Sequence, residues 1–277
     1  HHNTRDGFLS SPLMLAMAAA HSTSHMMISV SALILPLHDP LRIAEDIAVL
    51  DLVSGGRFAA TLGLGYREQE YRAFGVDWAR RGKIMDEKLQ VLLQAFSGQP
   101  FDYRGSTLQL NPAPERPPRA LLLVGGNSPA AARRAARFGL LFAPSIDDPA
   151  LQTSYNKASA EAGFHGGAVV FPNEPSLTLL STDPDRDWQQ YGHYFLHDAL
   201  AYQAWRHPTR RAYAESSARD IDTLRAEGKY AFLTPEQALQ RISRKGSLNL
   251  SPLCGGMPVE RGWHSLELFA GHVAPHL

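Results

Sequence analysis

Most of this chain alternates short apolar runs with longer amphipathic segments, and this alternation constrains the fold more than any other feature. The runs "MMISVSALILP", "RFAATLGLG" and "ALLLVGG" are nearly continuous and apolar, which is typical of strands buried on both faces. A helix-like segment follows each of them. Because strands that alternate with helices form βαβ units, the sequence predicts an α/β fold with a parallel sheet.

Local signals predict where several of these elements begin and end. One helix has Asp39 as its N-cap, Pro40 at its first position and Gly55 at its end. Further helices are predicted over 81–97, 129–138 and 184–205 and from "TPEQALQRI", and further strands in "LLFAP", "AVVFPNEPSLTLLS" and "SLNLSPL". We expect Asp51 and Arg57 to pin the first helix to the strand that follows it.

The chain is predicted to form one domain over residues 1–277, with an insertion at about 98–119 that begins with a hairpin-like pair of short strands. A doubly wound sheet and a (β/α)8 barrel both fit the alternation, and a barrel needs about 250 residues. The glycine fingerprint of a dinucleotide-binding sheet is absent, since "GLGYRE" at Gly63 has no third glycine. Six strong strands are apparent, two fewer than a barrel has.

Charge and cysteine content limit the possible partners and the compartment. The 27 basic and 27 acidic residues cancel, which argues against a nucleic-acid or anionic-membrane partner and favours a small-molecule ligand. Cys254 is the single cysteine, so there is no intrachain disulfide, and we expect a cytoplasmic protein. The apolar run in "LMLAMAAAHS" is too short to span a bilayer. The acidic Asp6 before it is not typical of a signal peptide.

The best candidate for an anion site is "VGGNSP", where a strand turns into a helix. Gly125 and Gly126 let the backbone approach a ligand, and Asn127 and Ser128 precede Pro129 at the start of the helix. The unpaired N–H groups and the helix dipole at such a position attract negative charge. The alternative is an ordinary strand-to-helix turn.

Histidines supply the candidate acid–base groups. An imidazole at His1 or His2 can exchange a proton near neutral pH, although two terminal histidines are also what a purification tag leaves behind. His193 and His197 lie four apart on a predicted helix, but without an HExxH pattern they are interpreted as surface or pocket-lining residues, and no metal site is predicted. Cys254 is interpreted as a small buried hydrophobic residue.

The motifs "HDPLRIAEDIAVLDLVSGGRF", "GLGYREQEYRAFGVD", "LLLVGGNSPAAARRAARFG" and "LSPLCGGMPVERGWHSLELF" occur in an order that is specific as a set. With them the chain resembles the bacterial luciferase-like family of flavin-dependent monooxygenases. The resemblance implies a (β/α)8 TIM barrel with an insertion where 98–119 lies. It also implies that His1 and His2 belong to a Glu-His-His motif at the end of the second barrel strand. Strands 1 and 2 would then be missing from this chain.

The resemblance implies a site at the carboxyl ends of the strands. His1 and His2 would be catalytic, with the first histidine in the leading role, and Gly125, Gly126, Asn127 and Ser128 would hold a flavin phosphate. Ser31 and Ala32 would lie against the flavin ring at a non-prolyl cis peptide. Leu64 is included among the cofactor contacts, although some relatives have an arginine there; Arg67 nearby could then assist.

The implied function is oxidation of a small organic substrate by O2, using reduced FMN supplied by a flavin reductase. The flavin supplies the redox chemistry and the protein supplies binding, orientation and exclusion of water. A homodimer is also expected. Two alternatives remain open: an F420-dependent oxidoreductase that transfers hydride, and a non-catalytic flavin-binding protein.

Overall fold

The computed structural model describes residues 1, 2, 4, 6, 9–172, 176–205 and 216–277. The chain forms two compact units, which we call the sheet unit (Leu9–Phe171) and the split unit (His1–Phe8 with Pro172–Leu277). The single domain over 1–277 stays a prediction.

The sheet unit follows the predicted alternation closely. In chain order its elements are α1 (Pro12–Ser22), β1 (Ile28–Ile34), α2 (Pro40–Ser54), β2 (Phe58–Gly63), α3 (Glu68–Ala73), α4 (Arg81–Ala95), β3 (Phe101–Tyr103), β4 (Ser106–Leu108), α5 (Pro118–Leu121), β5 (Leu122–Gly125), α6 (Pro129–Arg137), β6 (Leu141–Ala143) and α7 (Pro149–Glu161). Strands β1, β2, β5 and β6 form a parallel sheet in that order. Its apolar side chains, such as Leu33, Leu62 and Val124, are almost fully buried, as expected of a parallel sheet.

Helix α2 begins and ends where the sequence predicted. The Asp39 carboxylate accepts hydrogen bonds from the backbone N–H groups of Leu41 and Arg42 at 3.0 and 3.3 Å. Gly55 has φ of 61°, a left-handed conformation that costs a glycine little. Both ends are therefore set by residues within or next to the helix.

Asp51 and Arg57, which we expected to pin α2 to the following strand, have different partners, although Arg57 Nε does donate to the Ser54 carbonyl at the end of α2 at 2.6 Å. The Asp51 carboxylate accepts a hydrogen bond from Arg116 Nε at 2.7 Å. The Arg57 guanidinium instead donates to the backbone carbonyls of Ala20, Thr23 and Met26. Arg57 therefore fixes the connection from α1 to β1, where several carbonyl groups need a donor.

Within the predicted insertion, the hairpin-like pair of strands is present as β3 and β4, which pair in antiparallel fashion. Arg104 and Gly105 join them with φ values of 51° and 80°. Positive φ at both central residues is characteristic of a type I′ turn, whose twist matches that of the flanking strands.

The split unit contains β7 (Leu177–Leu180), α8 (Pro184–Ala204), α9 (Ile221–Glu227), β8 (Tyr230–Leu233), α10 (Pro235–Lys245) and α11 (Val259–His272). Strands β7 and β8 are parallel, with Leu177 opposite Tyr230. A 3-10 turn at Cys254–Gly256 precedes α11.

In the split unit one strand was missed and one predicted strand is wrong. Strand β8 was not predicted, because four residues with no alternation give little periodic signal. In "SLNLSPL" the structure has no extended strand, only an isolated bridge between Thr178 and Leu250. The predicted strand in "AVVFPNEPSLTLLS" corresponds to β7, and residues 173–175 within that segment lie outside the described residues.

None of the helices in the described part of the chain is both long enough and apolar enough to cross a lipid bilayer.

Candidate active site

Parallel pairing brings the carboxyl ends of β1, β2 and β5 side by side in the sheet unit. Ser31 lies opposite Thr61, and Leu62 lies opposite Val124. All the cofactor residues predicted from the sequence therefore lie along or just beyond neighbouring strands at one edge of the sheet. This is where parallel α/β proteins commonly bind ligands.

The Ser31–Ala32 pair forms an exposed surface of small side chains on β1. Its peptide bond is cis, as the resemblance implied for this pair. Pairing with β2 is irregular here, because Ala32 is an extra residue between Ser31 and Leu33. A Cβ placed on Gly63 would lie 3.1 Å from the Ala32 Cβ, so the absence of a side chain on β2 keeps this surface flat.

Gly125 and Gly126 form a tightly packed turn at the end of β5, which we call the β5 turn. A Cβ on Gly125 would lie 2.8 Å from Thr61 Cγ2, and one on Gly126 would lie 2.9 Å from the Ala131 Cβ. Gly126 also has φ of 137°, which L side chains rarely adopt. Neighbouring side chains therefore leave room only for glycine at both positions, and Gly126 is exposed to solvent.

Asn127 and Ser128 fix the turn that follows. Asn127 Nδ2 donates to Ser145 Oγ, and the Ser145 backbone N–H donates to Asn127 Oδ1, both at 2.8 Å. The Ser128 hydroxyl caps α6 by accepting from the Ala131 N–H at 3.3 Å. Sequence reasoning missed Ser145, because only the pairing of β5 with β6 brings it to Asn127.

Leu64 and Arg67 follow β2. Leu64 packs against the hydrophobic core, and its carbonyl oxygen accepts a hydrogen bond from the hydroxyl of Tyr71. Burial raises the pKa of Tyr71, so this hydroxyl stays a donor. Arg67 Nη1 lies 2.9 Å from Glu70 Oε1, and both side chains are buried. Arg67, the residue before α3, is thus paired with a carboxylate of that helix.

The predicted catalytic histidines belong to the split unit. The His1 ring packs against Trp205, with ring centroids 4.9 Å apart. His197 Nε2 lies 3.2 Å from Asp6 Oδ2, whereas His193 is exposed and packs against Tyr194. The two histidines of α8, weighed above as a possible metal pair, therefore have different neighbours.

A buried polar cluster lies beside these histidines. The Tyr230 hydroxyl donates to Asp198 Oδ2 at 2.7 Å, and Cys254 also hydrogen-bonds to Asp198. Burial is the largest cause that raises the pKa of Asp198, and the nearby charge of Asp6 adds to it. Burial and the proximity of Asp198 also raise the pKa of the Cys254 thiol. Sequence reasoning missed this cluster, since its members are far apart in the chain.

Comparisons with known proteins bear on this arrangement. A profile of the family described as luciferase-like monooxygenase matches residues 1–245. Two curated relatives are 30% identical to this chain over the matched segments. These segments cover 40% to 45% of this chain and 32% to 44% of the relatives.

Three solved structures are similar in fold. The monooxygenase RslO1 from Streptomyces bottropensis is 24% identical, with a TM-score of 0.67 over 96% of this chain and 82% of that one. An F420-dependent secondary alcohol dehydrogenase, in complex with an F420-acetone adduct, is 18% identical, with a TM-score of 0.61 over 95% and 83%. The oxygenating constituent of 3,6-diketocamphane monooxygenase from Pseudomonas putida, in complex with FMN, is 18% identical, with a TM-score of 0.55 over 100% and 87%. The predicted luciferase-like (β/α)8 fold class is thereby confirmed.

Proposed function

This chain belongs to the luciferase-like monooxygenase family, and we propose that it is a flavin-dependent monooxygenase that oxidises a small organic substrate with O2 and reduced FMN. The family match over residues 1–245 carries this proposal. The β5 turn and the surface of small side chains on β1 support it, because both lie toward the carboxyl ends of strands in one parallel sheet. A separate reductase would supply the reduced flavin, and the homodimer stays a prediction.

The β5 turn suits a phosphate mainly for electrostatic reasons. Gly126 is exposed, and the turn lies at the positive end of the α6 dipole; because Ser128 already binds the Ala131 and Ala132 N–H groups, the phosphate would contact the backbone that precedes Pro129. Asn127 and Ser128 hold that turn in place through Ser145 and Ala131. These four residues would bind the phosphate without an arginine at Leu64.

The surface at Ser31 and Ala32 suits a flat aromatic ring. Both side chains are small and exposed, and Gly63 beside them has no side chain to lift a ring away from the sheet. Leu64 would border the ring with an apolar side chain. A bound ring would gain contact area with the backbone and lose water from one face.

The bound flavin would supply the electrons that activate O2. The chain would supply binding and orientation, and His1 and His2 stay the predicted catalytic residues, whose imidazoles would donate or accept a proton. An imidazole suits this step, because histidine exchanges protons near neutral pH.

The test compares FMN with riboflavin, which lacks the phosphate. In the Ser128→Asp variant the N-cap is preserved, since aspartate caps as well as serine, while a negative charge is added at the β5 turn. We expect FMN affinity to fall by about ten- to a hundredfold and riboflavin affinity to change little. The matched control is Asn156→Asp, which adds the same charge on the exposed part of α7.

Turnover is measured separately, as consumption of O2 and reduced FMN beside the same reaction without protein. Equal loss of FMN and riboflavin affinity in Ser128→Asp would remove the phosphate assignment. FMN binding without turnover would favour a non-catalytic flavin-binding protein.

An F420-dependent oxidoreductase is the second candidate, and the similarity to the F420-dependent alcohol dehydrogenase favours it. Reduction of F420 by a panel of secondary alcohols, with no response to reduced FMN, would establish this alternative and overturn the first proposal.

A further inference from the structure

Asp6 lies four residues after His2 and contacts two parts of the split unit. Its side chain is 3% exposed, and its Oδ2 lies 3.2 Å from His197 Nε2 on α8. Its backbone lies against the Cys254–Gly256 turn, since a Cβ on Gly256 would be 3.3 Å from the Asp6 Cα. Asp6 is therefore held by a side chain from one direction and by a backbone turn from another.

His1 provides a second point of attachment. Its ring packs on Trp205, the residue that follows α8, at a centroid distance of 4.9 Å. Eight residues separate His197 from Trp205, which corresponds to about 12 Å along a helix. The five residue steps from Asp6 back to His1 can span at most about 17 Å. The distance along α8 between the two contacts is thus within the reach of the chain from His1 to Asp6.

The chemistry of Asp6 points to a role beyond packing. Its Oδ1 is buried and has no hydrogen-bond partner among the described residues. Asp198, a second buried acidic side chain, lies close enough for the charge of Asp6 to raise the pKa of Asp198, in addition to the larger effect of burial. Burying a carboxylate in this way is costly, so an apolar residue would stabilise the fold better.

We propose that Asp6 is a positioning residue which, paired with His197, fixes the segment that carries His1 and His2 against α8. The inference rests on the proposed function, in which these two imidazoles carry the proton transfer. Asp6 acts through the segment and does not itself touch the reacting atoms. Loss of the pair displaces the imidazoles, and displacements of about 1 Å can cost a hundredfold in rate.

The first readout does not depend on activity. Trp205 fluorescence is isolated by subtracting the spectrum of Trp205→Phe, and His1→Ala defines the change that follows loss of the ring contact. We expect Asp6→Ala and His197→Leu to change Trp205 emission in the same direction and by a comparable amount. His193→Leu, a matched change one turn away on the exposed part of α8, leaves the emission unaltered.

The second readout is steady-state oxidation of reduced FMN. We expect kcat to fall by about ten- to a hundredfold in Asp6→Ala and His197→Leu, with an unchanged KM for reduced FMN. His197→Gln retains a nitrogen donor toward Asp6 and should restore most of the rate. Thermal unfolding of each variant establishes that it is folded; His197→Leu, at a half-exposed position, keeps the test valid if Asp6→Ala does not fold.

The outcomes separate the two proposals. Unaltered Trp205 emission in folded His197→Leu, together with a change in His1→Ala, would overturn the positioning role. Altered emission with unchanged kcat would overturn its importance for the reaction. If the unmodified protein does not oxidise reduced FMN at all, the proposed function fails, and emission alone then decides whether Asp6 fixes the segment.

Discussion

Asp39 in the sheet unit and Asp198 in the split unit are the same side chain in opposite environments. Partial burial acts to raise the pKa of the Asp39 carboxyl. Hydrogen bonds from Tyr103 and from the N–H groups of Arg42 and Leu41 outweigh it and lower this pKa. Asp198 is 3% exposed, and burial raises the pKa of its carboxyl despite the hydrogen bond from Tyr230. The comparison shows that burial raises the pKa of a buried carboxyl when few hydrogen-bond donors reach it.

Local and distant partners also distinguish the two. Asp39 accepts two hydrogen bonds from the helix that it caps, besides the one from Tyr103, 64 residues away, whereas Tyr230 reaches Asp198 from 32 residues away. A helix cap can be replaced in part by water, because the end of a helix is exposed. A buried hydroxyl that loses its acceptor has no such replacement.

The largest expected difference is in the free energy of unfolding after each carboxyl is removed. Asp198→Ala leaves the Tyr230 hydroxyl buried without this acceptor, and we expect the free energy of unfolding to fall by about 3 kcal/mol. Asp39→Ala removes a cap and should cost about 1 kcal/mol. Urea denaturation measures both, with the exposed Asp147→Ala expected to stay within about 0.5 kcal/mol of the unmodified protein. A larger loss for Asp39→Ala than for Asp198→Ala would reverse the comparison.

The pH dependence of folding stability also distinguishes the two carboxyls, with a smaller expected effect. The lowered pKa of Asp39 contributes stability that is complete above the unfolded carboxyl value of about 3.9 and is lost as the pH falls through the folded-state value. The raised pKa of Asp198 contributes stability that is complete below about 3.9 and is lost as the pH rises through its folded-state value.

Neutral replacements test these signs. We expect the stability advantage of the unmodified protein over Asp39→Asn to shrink as the pH is lowered. Its advantage over Asp198→Asn should shrink as the pH is raised toward neutrality. Denaturation curves at a series of pH values give both trends. Trends in the same direction for the two variants would contradict the assigned environments.

The smallest expected effect concerns the Cys254 thiol, whose pKa is raised by burial first and by Asp198 in addition. Because the thiolate is the nucleophile, iodoacetamide should alkylate the folded protein slowly at neutral pH and faster as the pH rises. Asp198→Asn removes one cause of the shift and should accelerate the reaction by about two- to fivefold.

Intact mass reports the alkylation directly, since the chain has one cysteine. Reaction in urea serves as the reference for an accessible thiol. Equal rates in the folded protein and in urea would show that Cys254 is accessible.

The sheet unit was more predictable than the split unit because its signals are local and long. Asp39, Pro40 and Gly55 mark the ends of α2 within a few residues of it, and three apolar runs of seven or more residues mark β1, β2 and β5. In the split unit, the four-residue strand β8 carried no comparable signal, and "SLNLSPL" was taken for a strand although it makes a single bridge.

The sequence also predicted which residues surround the cofactor, and the sheet brings Ser31, Ala32 and the "GGNS" turn to one edge; whether they bind FMN stays a prediction. The partners of these residues were not predictable. Asn127 meets Ser145 from 18 residues away, and Tyr71 reaches back to Leu64, through contacts that exist only once the strands have paired.

By itself, the sequence determined the alternation of strands and helices, the caps and the family likeness, because these depend on residues close together in the chain. The tertiary structure alone decided that Asp51 pairs with Arg116 and not with Arg57, and that Asp6 and Asp198 are buried as near neighbours. The physical reason is that burial and ion pairing depend on packing between distant segments. An aspartate in a sequence therefore does not reveal whether its charge will be capped, paired or buried.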